Sequence, residues 1–182
     1  MRIVGGAFKG RSLLEFKGNE VRPTADMTRE SLFNIIKDKV ASADFLDLFC
    51  GTGAVGIEAL SRGAKSVTFN DISKESLALC KKNLIKVDKE NLAKQGVNVN
   101  FYNYDAESFV KNAKVKYDVI FIDAPYVSSF GVNALKFCAS ILNDSGIVVF
   151  ESENFIEGEF LGLVKYDQRK YGRAKLTFFC KE

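Results

Sequence analysis

Histidine is absent from this 182-residue chain, and cysteine is scarce. Without histidine the chain cannot build a Ser-His-Asp or Cys-His catalytic arrangement, or a metal site with an imidazole ligand. The four cysteines lie far apart and include no CxxC pair: Cys50, Cys80, Cys138 and Cys180. We therefore interpret them as buried thiols in a reducing compartment, and we expect no metal.

Long apolar segments and a strong net charge are missing as well. No segment approaches the length of a membrane span, and the first residues lack the apolar region of a secretory signal. We therefore expect a cytoplasmic protein with no membrane partner. The formal net charge of +3 is too small to indicate a polyanionic partner by itself. The 47% hydrophobic content is enough for a sizeable core in one domain.

From residue 45 onward, short predicted strands alternate with predicted helices. The strands are 45–49, 66–70, 97–102, 117–122 and 146–151, with candidate final strands at 160–167 and 174–180. The helices of this alternation are 53–62, 74–87, 107–113 and 130–142, and a further predicted helix at 26–40 precedes it. This alternation predicts an α/β fold with a parallel sheet and helices on both faces. Residues 1–25 are predicted to form a small β-hairpin and loop before a main domain over 26–182.

A glycine loop follows the first predicted strand. Residues 47–56 read DLFCGTGAVG, in which Gly51 and Gly53 allow a ligand to approach the backbone at the start of a helix. The loop alone fits NAD, FAD, S-adenosylmethionine or a simple tight turn. Asp47 at the strand end favours a cation, such as the α-amino group of S-adenosylmethionine, over a pyrophosphate.

Two further acids follow the next two predicted strands. Asp71 lies 20 residues beyond Gly51, where an acid can accept hydrogen bonds from both ribose hydroxyls of either kind of cofactor. Asp105 and Ala106 could hold an adenine amino group, although Asp105 could equally cap a helix. All these positions fall on the carboxyl edge of the sheet, where open α/β folds bind their ligands.

The fourth predicted strand ends in Asp123-Ala124-Pro125-Tyr126. A carboxylate and an open backbone carbonyl can accept the two hydrogens of a planar amino group, while the tyrosine ring stacks on the base that carries it. A base leaving its own stack would regain part of the cost on such a ring. An ordinary turn is the alternative interpretation. The tetrapeptide therefore suggests chemistry on the exocyclic nitrogen of a nucleobase.

At these residues the chain resembles class I S-adenosylmethionine-dependent methyltransferases that act on amino groups and carry (D/N/S)-P-P-(Y/F/W) after the fourth strand. A narrower resemblance, over nearly the whole chain, is to the RsmD family of bacterial 16S rRNA guanine-N2 methyltransferases. It is carried by RIVGG at 2–6, RPTAD at 22–26, RESLFN at 29–34, DLFCGTG at 47–53, EALSRGA at 58–64 and YG at 171–172.

The RsmD resemblance implies a Rossmann-like sheet of seven strands, the last of them antiparallel. It implies methyl transfer from S-adenosylmethionine to N2 of a guanine, with S-adenosylhomocysteine as the product. It also implies that the methionine part of the cofactor is held by Asp47, Gly51 and Gly53. The ribose would be held by Asp71, the adenine by Asp105, and the target guanine by residues 123–126. Ala124 departs from the family, which usually has proline there, and loses the fixed φ of that proline.

The implied partner is 16S rRNA, within the small ribosomal subunit or an assembly intermediate, and we expect the protein to be a monomer. We predict that basic residues of the N-terminal hairpin and loop bind rRNA phosphates: Arg2, Lys9, Arg11 and Arg22, with Lys17 nearby. A solvated strand face is the alternative interpretation of these charges.

Other functions share part of this pattern. An adenine-N6 or cytosine-N4 DNA methyltransferase would have the same loop and tetrapeptide, but it usually needs a DNA-recognition segment for which 182 residues leave little room. A catalytically weak RNA-binding or ribosome-assembly protein is another alternative, in which Ala124 marks lost catalysis. Asp47 and the lack of histidine argue against an NAD-linked oxidoreductase.

Overall fold

The computed structural model describes residues 1–16, 26–89, 92, 96–125 and 129–182. Its strands are β1 Asp44–Asp47, β2 Ser66–Asn70, β3 Asn98–Tyr102, β4 Tyr117–Ile122, β5 Leu142–Ser152, β6 Leu163–Tyr171 and β7 Ala174–Lys181. Its α-helices are α1 Asp26–Ile35, α2 Lys37–Val40, α3 Ala54–Ser61, α4 Lys74–Val87, α5 Ala106–Asn112 and α6 Phe130–Leu135. A 3₁₀ turn at Cys138–Ile141 precedes β5.

The seven strands form one sheet in the order β3-β2-β1-β4-β5-β7-β6. Strands β1 to β5 pair in parallel, and β7 pairs antiparallel with both β5 and β6. The predicted Rossmann-like sheet with an antiparallel last strand is therefore confirmed. The chain order reverses between β1 and β4, and such a switch point is where open α/β sheets bind ligands beyond the carboxyl ends of their strands.

Both faces of the central strands are buried. Phe45 and Val119 belong to one apolar cluster, which includes residues of α1 and α3. Leu46 and Ile120 belong to a second cluster, which includes residues of α5 and α6. Because neighbouring residues of a strand point to opposite faces, helices cover the sheet on both sides. This also explains why the central strands read as continuous apolar runs.

Two of the predicted helices are broken or end early in the structure. The helix expected over 26–40 is interrupted at Ile36, whose φ of −94° and ψ of 14° separate α1 from α2. The helix expected over 130–142 ends at Leu135; a 3₁₀ turn follows at Cys138–Ile141, and Leu142 pairs with Tyr117 as the first residue of β5. Strand pairing and burial of Leu142 thus outweigh the local helical pattern.

The first residues form a hairpin-like turn that packs on the main domain. Arg2 and Ser12 form an antiparallel bridge. Ile3, Phe8 and Leu13 lie in the same apolar cluster as β1 and α3. We call residues 1–16 the N-terminal segment. Within the described ranges, no helix has both the length and the apolarity that crossing a membrane requires.

Candidate functional site

The glycine loop between β1 and α3 depends on glycine at three positions. Gly51 and Gly53 have φ angles of +50° and +79°, in the left-handed region that side chains rarely adopt. A Cβ at Gly53 would overlap the Cys80 Sγ atom of α4, and a Cβ at Gly56 would overlap the Phe69 ring of β2. The glycines therefore let α3 pack close to β2 and α4, and Gly51 is partly exposed whereas Thr52 and Gly53 are buried.

Asp47 lies beneath this loop with only 2% of its surface exposed. Its Oδ2 accepts a hydrogen bond of 2.9 Å from the Gly56 N–H in the first turn of α3. Burial raises the pKa of Asp47 to about 7; the Gly56 hydrogen bond opposes this shift, and the charges of Asp123 and Asp71 add to it. A cation placed beside Asp47 would therefore stabilise its ionised form.

Asp71 connects the glycine loop to the start of α4. Its Oδ2 accepts from the Gly51 N–H at 2.9 Å, and its Oδ1 accepts from the Ser73 N–H at 2.8 Å. Burial raises the pKa of Asp71, while these two hydrogen bonds act in the opposite direction. The carboxylate is only partly covered, so it can still accept from a ligand hydroxyl.

Asp105 caps α5 in the structure. Its Oδ1 accepts a hydrogen bond of 2.9 Å from the Ser108 N–H, and this contact lowers the pKa of Asp105. Ala106 is buried as the first residue of α5. Capping leaves part of the exposed carboxylate available, so an adenine contact by Asp105 stays a prediction.

Asn70 and Asn103 connect the loops of this edge by hydrogen bonds, a role that sequence reasoning did not predict. Asn70 Nδ2 donates to the carbonyls of Leu48 and Tyr104, each at 3.1 Å. Asn103 Nδ2 donates to the Ile72 carbonyl at 2.8 Å. A polar residue that ends an apolar strand, as Asn70 does, is the signal that could have indicated this link.

Two exposed apolar side chains, which sequence reasoning also missed, lie on these neighbouring loops. Ile72 is 70% exposed and Tyr104 is 57% exposed. Ile72 directly follows Asp71, the predicted ribose contact. Tyr104 directly precedes Asp105, the predicted adenine contact. Their apolar surfaces suit a flat aromatic ring, so both are candidate adenine contacts.

Asp123, Ala124 and Pro125 leave the sheet beside the glycine loop. In the parallel pairing of β1 with β4, Asp47 is opposite Phe121, two residues before Asp123. Ala124 is 7% exposed. A Cβ on Gly131 of α6 would come within 2.8 Å of the Ala124 Cβ, so Ala124 packs directly against α6. Tyr126 lies outside the described residues, so its stacking role stays a prediction.

The basic residues of the N-terminal segment differ in their surroundings. Arg2 has 70% of its side chain exposed and lies 3.8 Å from the Asp26 carboxylate. Lys9 is exposed. The Arg11 guanidinium lies 5.0 Å above the Phe8 ring and donates to the Val87 carbonyl at the end of α4. Arg22 and Lys17 lie outside the described residues, so phosphate binding by these basic residues stays a prediction.

A buried ion network joins the sequence blocks that carry the RsmD resemblance. Arg29 donates to the Arg2 carbonyl, and its Nε lies 3.7 Å from Glu58 Oε2. Glu58 also accepts from the Val4 N–H at 2.8 Å and from Arg62 Nε at 2.8 Å. Sequence reasoning identified these blocks separately. Their contacts hold the N-terminal segment on α1 and α3.

The residues at this edge could hold S-adenosylmethionine. The buried carboxylate of Asp47, the glycine loop and the partly exposed carboxylate of Asp71 line one edge of the sheet. In the part of the chain that the structure describes, no group of three or more Cys, Asp or Glu residues has metal-binding geometry.

Comparison with known proteins gives the same family over the whole chain. A family model described as "Conserved hypothetical protein 95" matches residues 1–180. The chain is 33% identical over 159 residues to Ribosomal RNA small subunit methyltransferase D of Escherichia coli K12, covering 87% of this chain and 75% of that protein. It is 32% identical over 188 residues to the putative rRNA methyltransferase YlbH of Bacillus subtilis strain 168, covering 100% and 99% of the two chains.

Solved structures show the same architecture. The Escherichia coli protein yhhF superposes with a TM-score of 0.81 at 28% identity, covering 100% of this chain and 98% of the other. A hypothetical protein of Thermus thermophilus gives a TM-score of 0.78 at 25% identity, covering 100% and 99%. The chain therefore belongs to the family described as "Conserved hypothetical protein 95", which is the RsmD family.

Proposed function

We propose that this protein transfers a methyl group from S-adenosylmethionine to the exocyclic N2 of a guanine in 16S rRNA. The observation that carries the proposal is the pairing of β1 with β4, which sets the glycine loop beside Asp123-Ala124-Pro125. A methyl donor held at the loop would thus lie next to an amino group held at the tetrapeptide. Relatives named as ribosomal RNA small subunit methyltransferases support the choice of rRNA.

The cofactor would be held by groups that are already fixed. The α-amino group would lie near Asp47 and, as a cation, would stabilise the ionised form of that buried carboxyl. The methionine part would approach the backbone at Gly51 and Gly53. Asp71 would accept from the ribose hydroxyls, and Asp105 from the adenine amino group. The bound cofactor supplies a methyl group that the sulfonium has already activated.

The protein's own contribution to the chemistry is orientation of the acceptor amino group. The lone pair of a guanine amino group is delocalised into the ring, which makes the nitrogen a poor nucleophile. If the Asp123 carboxylate and the Ala124 carbonyl each accept one N–H, the nitrogen can pyramidalise and direct its lone pair at the methyl carbon. The N–C bond forms as the C–S bond breaks, and Asp123 can accept the proton that the nitrogen releases.

The N-terminal segment would provide the RNA contact. Arg2 and Lys9 are exposed and can neutralise phosphates. Arg11 packs on Phe8 and α4, so it would also maintain the shape of the segment. Arg22 belongs to the same basic stretch of sequence. A base leaving its stack would be received at residues 123–126.

To test this, the protein is incubated with labelled S-adenosylmethionine and, separately, isolated small subunits, naked 16S rRNA or DNA. The labelled nucleoside is then identified by its mass. N2-methylguanosine in rRNA is the expected product. Label only in DNA would favour the adenine-N6 or cytosine-N4 alternative. RNA binding without any label would favour a catalytically weak RNA-binding or ribosome-assembly protein. The Asp123→Asn variant serves as the matched control for background labelling.

The same assay tests the proposed partner. Comparing intact small subunits, assembly intermediates and naked rRNA identifies the form that accepts methyl groups fastest. We propose that the protein acts as a monomer in the cytoplasm, on the small subunit or one of its precursors. Sedimentation of the free protein at assay concentration tests the monomer.

A further inference from the structure

One buried side chain connects the N-terminal segment to the glycine loop. Asn83 of α4 has no exposed surface. Its Oδ1 accepts from the Leu14 N–H at 2.7 Å, and its Nδ2 donates to the Leu14 carbonyl at 3.1 Å. The same Nδ2 donates to the Thr52 carbonyl at 2.9 Å. Thr52 lies between the two glycines of the loop, so a single amide group contacts both regions.

The rest of this helix face supports the connection. Cys80, one turn before Asn83, lies against Gly53, and Val87, one turn after it, accepts from the Arg11 guanidinium through its carbonyl. Lys86 Nζ donates to Ser12 Oγ at 3.1 Å. Residues three or four apart share one face of a helix. This face of α4 therefore contacts the glycine loop through Cys80 and Asn83, and its last turn contacts the N-terminal segment.

The Asn83 amide is planar, so its three hydrogen bonds are not independent. The pair of bonds to Leu14 fixes the plane of the amide, and that plane sets the direction in which Nδ2 meets the Thr52 carbonyl. A displacement of Leu14 would either rotate the amide away from Thr52 or leave a buried polar group unpaired, which is costly. Order at Leu14 and order at Thr52 therefore favour each other.

We propose that Asn83 is a positioning residue that couples the N-terminal segment to the glycine loop, so that rRNA and S-adenosylmethionine strengthen each other's binding. The proposal rests on the proposed function, since it takes the segment as the RNA contact and the loop as the cofactor contact. Linkage requires the coupling factor to be equal in both directions.

The first test needs no RNA. Hydrogen exchange is carried out on the whole protein with and without saturating S-adenosylhomocysteine, and it is measured in the peptide that covers residues 11–16. We expect the cofactor product to slow exchange at the Leu14 amide by about fivefold or more in the wild type. We expect no slowing in Asn83→Ala. Equal exchange with and without S-adenosylhomocysteine in the wild type would overturn the proposal.

The second test measures S-adenosylhomocysteine affinity by calorimetry with and without 16S rRNA. The wild type should bind about fivefold more tightly or better when rRNA is present. The factor should fall to near one in Asn83→Ala. It should also fall in Asn83→Asp, which keeps an acceptor for the Leu14 N–H but lacks the donors to Leu14 and Thr52. A coupling factor that both variants retain would contradict the proposal.

Ile141→Ala is the matched control for general destabilisation. Ile141 is buried in the apolar cluster on the other face of the sheet. If Ile141→Ala loses the coupling as fully as Asn83→Ala, then Asn83 has only a structural role and the proposal fails. A wild type that binds rRNA and S-adenosylhomocysteine independently refutes the coupling alone. A wild type that binds neither refutes the proposed function and the coupling with it.

Discussion

The two halves of the carboxyl edge are built from different groups. On the cofactor half, backbone N–H groups fix the carboxylates of Asp47 and Asp71. On the acceptor half, Asp123 is partly exposed and Pro125 is exposed, while only Ala124 is buried. A small cofactor gains from groups that are fixed before it binds, because less freedom is lost on binding. A base that enters from a large RNA needs an open face.

This difference predicts that acceptor residues affect the transfer rate far more than they affect cofactor binding. Asp123→Ala should slow methyl transfer by about 100-fold or more, because the amino group loses one of its two acceptors and its orientation. Single-turnover transfer to rRNA measures the rate, and calorimetry with S-adenosylhomocysteine measures the cofactor half. If cofactor affinity falls as far as the rate, the two halves are not separate.

Changes in the glycine loop should have the opposite effect, on cofactor binding and stability. Gly53→Ala combines an unfavourable left-handed φ with the overlap against Cys80 Sγ. We expect it to lower the free energy of unfolding by about 2–4 kcal/mol, from the left-handed strain and the overpacking together. Denaturant unfolding measures this loss, and S-adenosylhomocysteine affinity should fall with it.

Gly63→Ala is the matched control for this loop prediction. Gly63 has a φ of +92°, but a Cβ there would meet no atom within 4 Å. Gly63→Ala should therefore lower the free energy of unfolding by only about 1–2 kcal/mol, the cost of a side chain on a left-handed backbone. Gly53→Ala combined with Cys80→Ala should recover part of the difference. Equal losses in the Gly53→Ala and Gly63→Ala single variants would show that contact with Cys80 is unimportant.

Asp47 should make the cofactor half sensitive to pH. Since its pKa in the folded protein is about 7, well above the ordinary value of 3.8, the folded state holds a proton between these values that the unfolded state has lost. The free energy of unfolding without cofactor should therefore fall as pH rises from about 4 to 7. The ionised form should favour the cofactor's α-amino group, so S-adenosylhomocysteine affinity should rise by about tenfold from pH 6 to pH 8.

Asp47→Asn removes the titrating group and should flatten both pH profiles. Calorimetry across the pH range checks the affinity, and denaturant unfolding checks the stability. Asp105→Asn is the control, because hydrogen bonds at α5 lower the pKa of that carboxyl and it stays ionised throughout the range from pH 6 to pH 8. A wild-type affinity that does not change between pH 6 and pH 8 would contradict the role given to Asp47.

The exposed basic side chains of the N-terminal segment should affect RNA binding. Neutralising Arg2 and Lys9 to Gln should weaken rRNA binding and reduce the slope of log K against log salt by about 0.7–0.9 for each phosphate that the protein no longer neutralises. Filter binding at several salt concentrations measures this slope. Lys82→Gln with Lys89→Gln provides an equal charge change at exposed positions on or just after α4. If both double variants behave alike, the segment has no special RNA role.

The sheet could be predicted from sequence because its signals are local. The predicted first and last residues of β2, β4 and α4 are the same as those in the structure. The break at Ile36 and the early start of β5 could not, because they depend on packing and on pairing with a distant strand. Local pattern therefore predicts the elements better than it predicts their ends.

In the site, too, the positions of single residues could be predicted from sequence, but the contacts between distant segments could not. Strand ends predicted where Asp47, Asp71 and Asp123 lie, because parallel strands end on one edge of a sheet. The links made by Asn70 and Asn83 were not predicted, since each joins segments far apart in the chain. Such contacts depend on how a helix or strand packs, and no spacing rule reports that.

Ala124 gives the smallest expected effect and tests the acceptor half directly. Ala124→Pro would restore the residue that the family usually has, fix φ at this position and restrict Asp123 to extended conformations. We expect the transfer rate to rise by about two- to fivefold, because less conformational freedom is lost when the amino group is held. Single-turnover transfer measures the rate, and unchanged S-adenosylhomocysteine affinity is the control.

The close packing around Ala124 makes this substitution a demanding test. A Cβ on Gly131 would come within 2.8 Å of both the Ala124 Cβ and the Phe150 ring, so α6 leaves little space on that side. If the proline ring displaces α6, unfolding measurements will show a loss of stability together with a lower rate. A lower or unchanged rate at unchanged stability would show instead that Asp123 is already held well enough, and that the open acceptor half needs no further restriction at this residue.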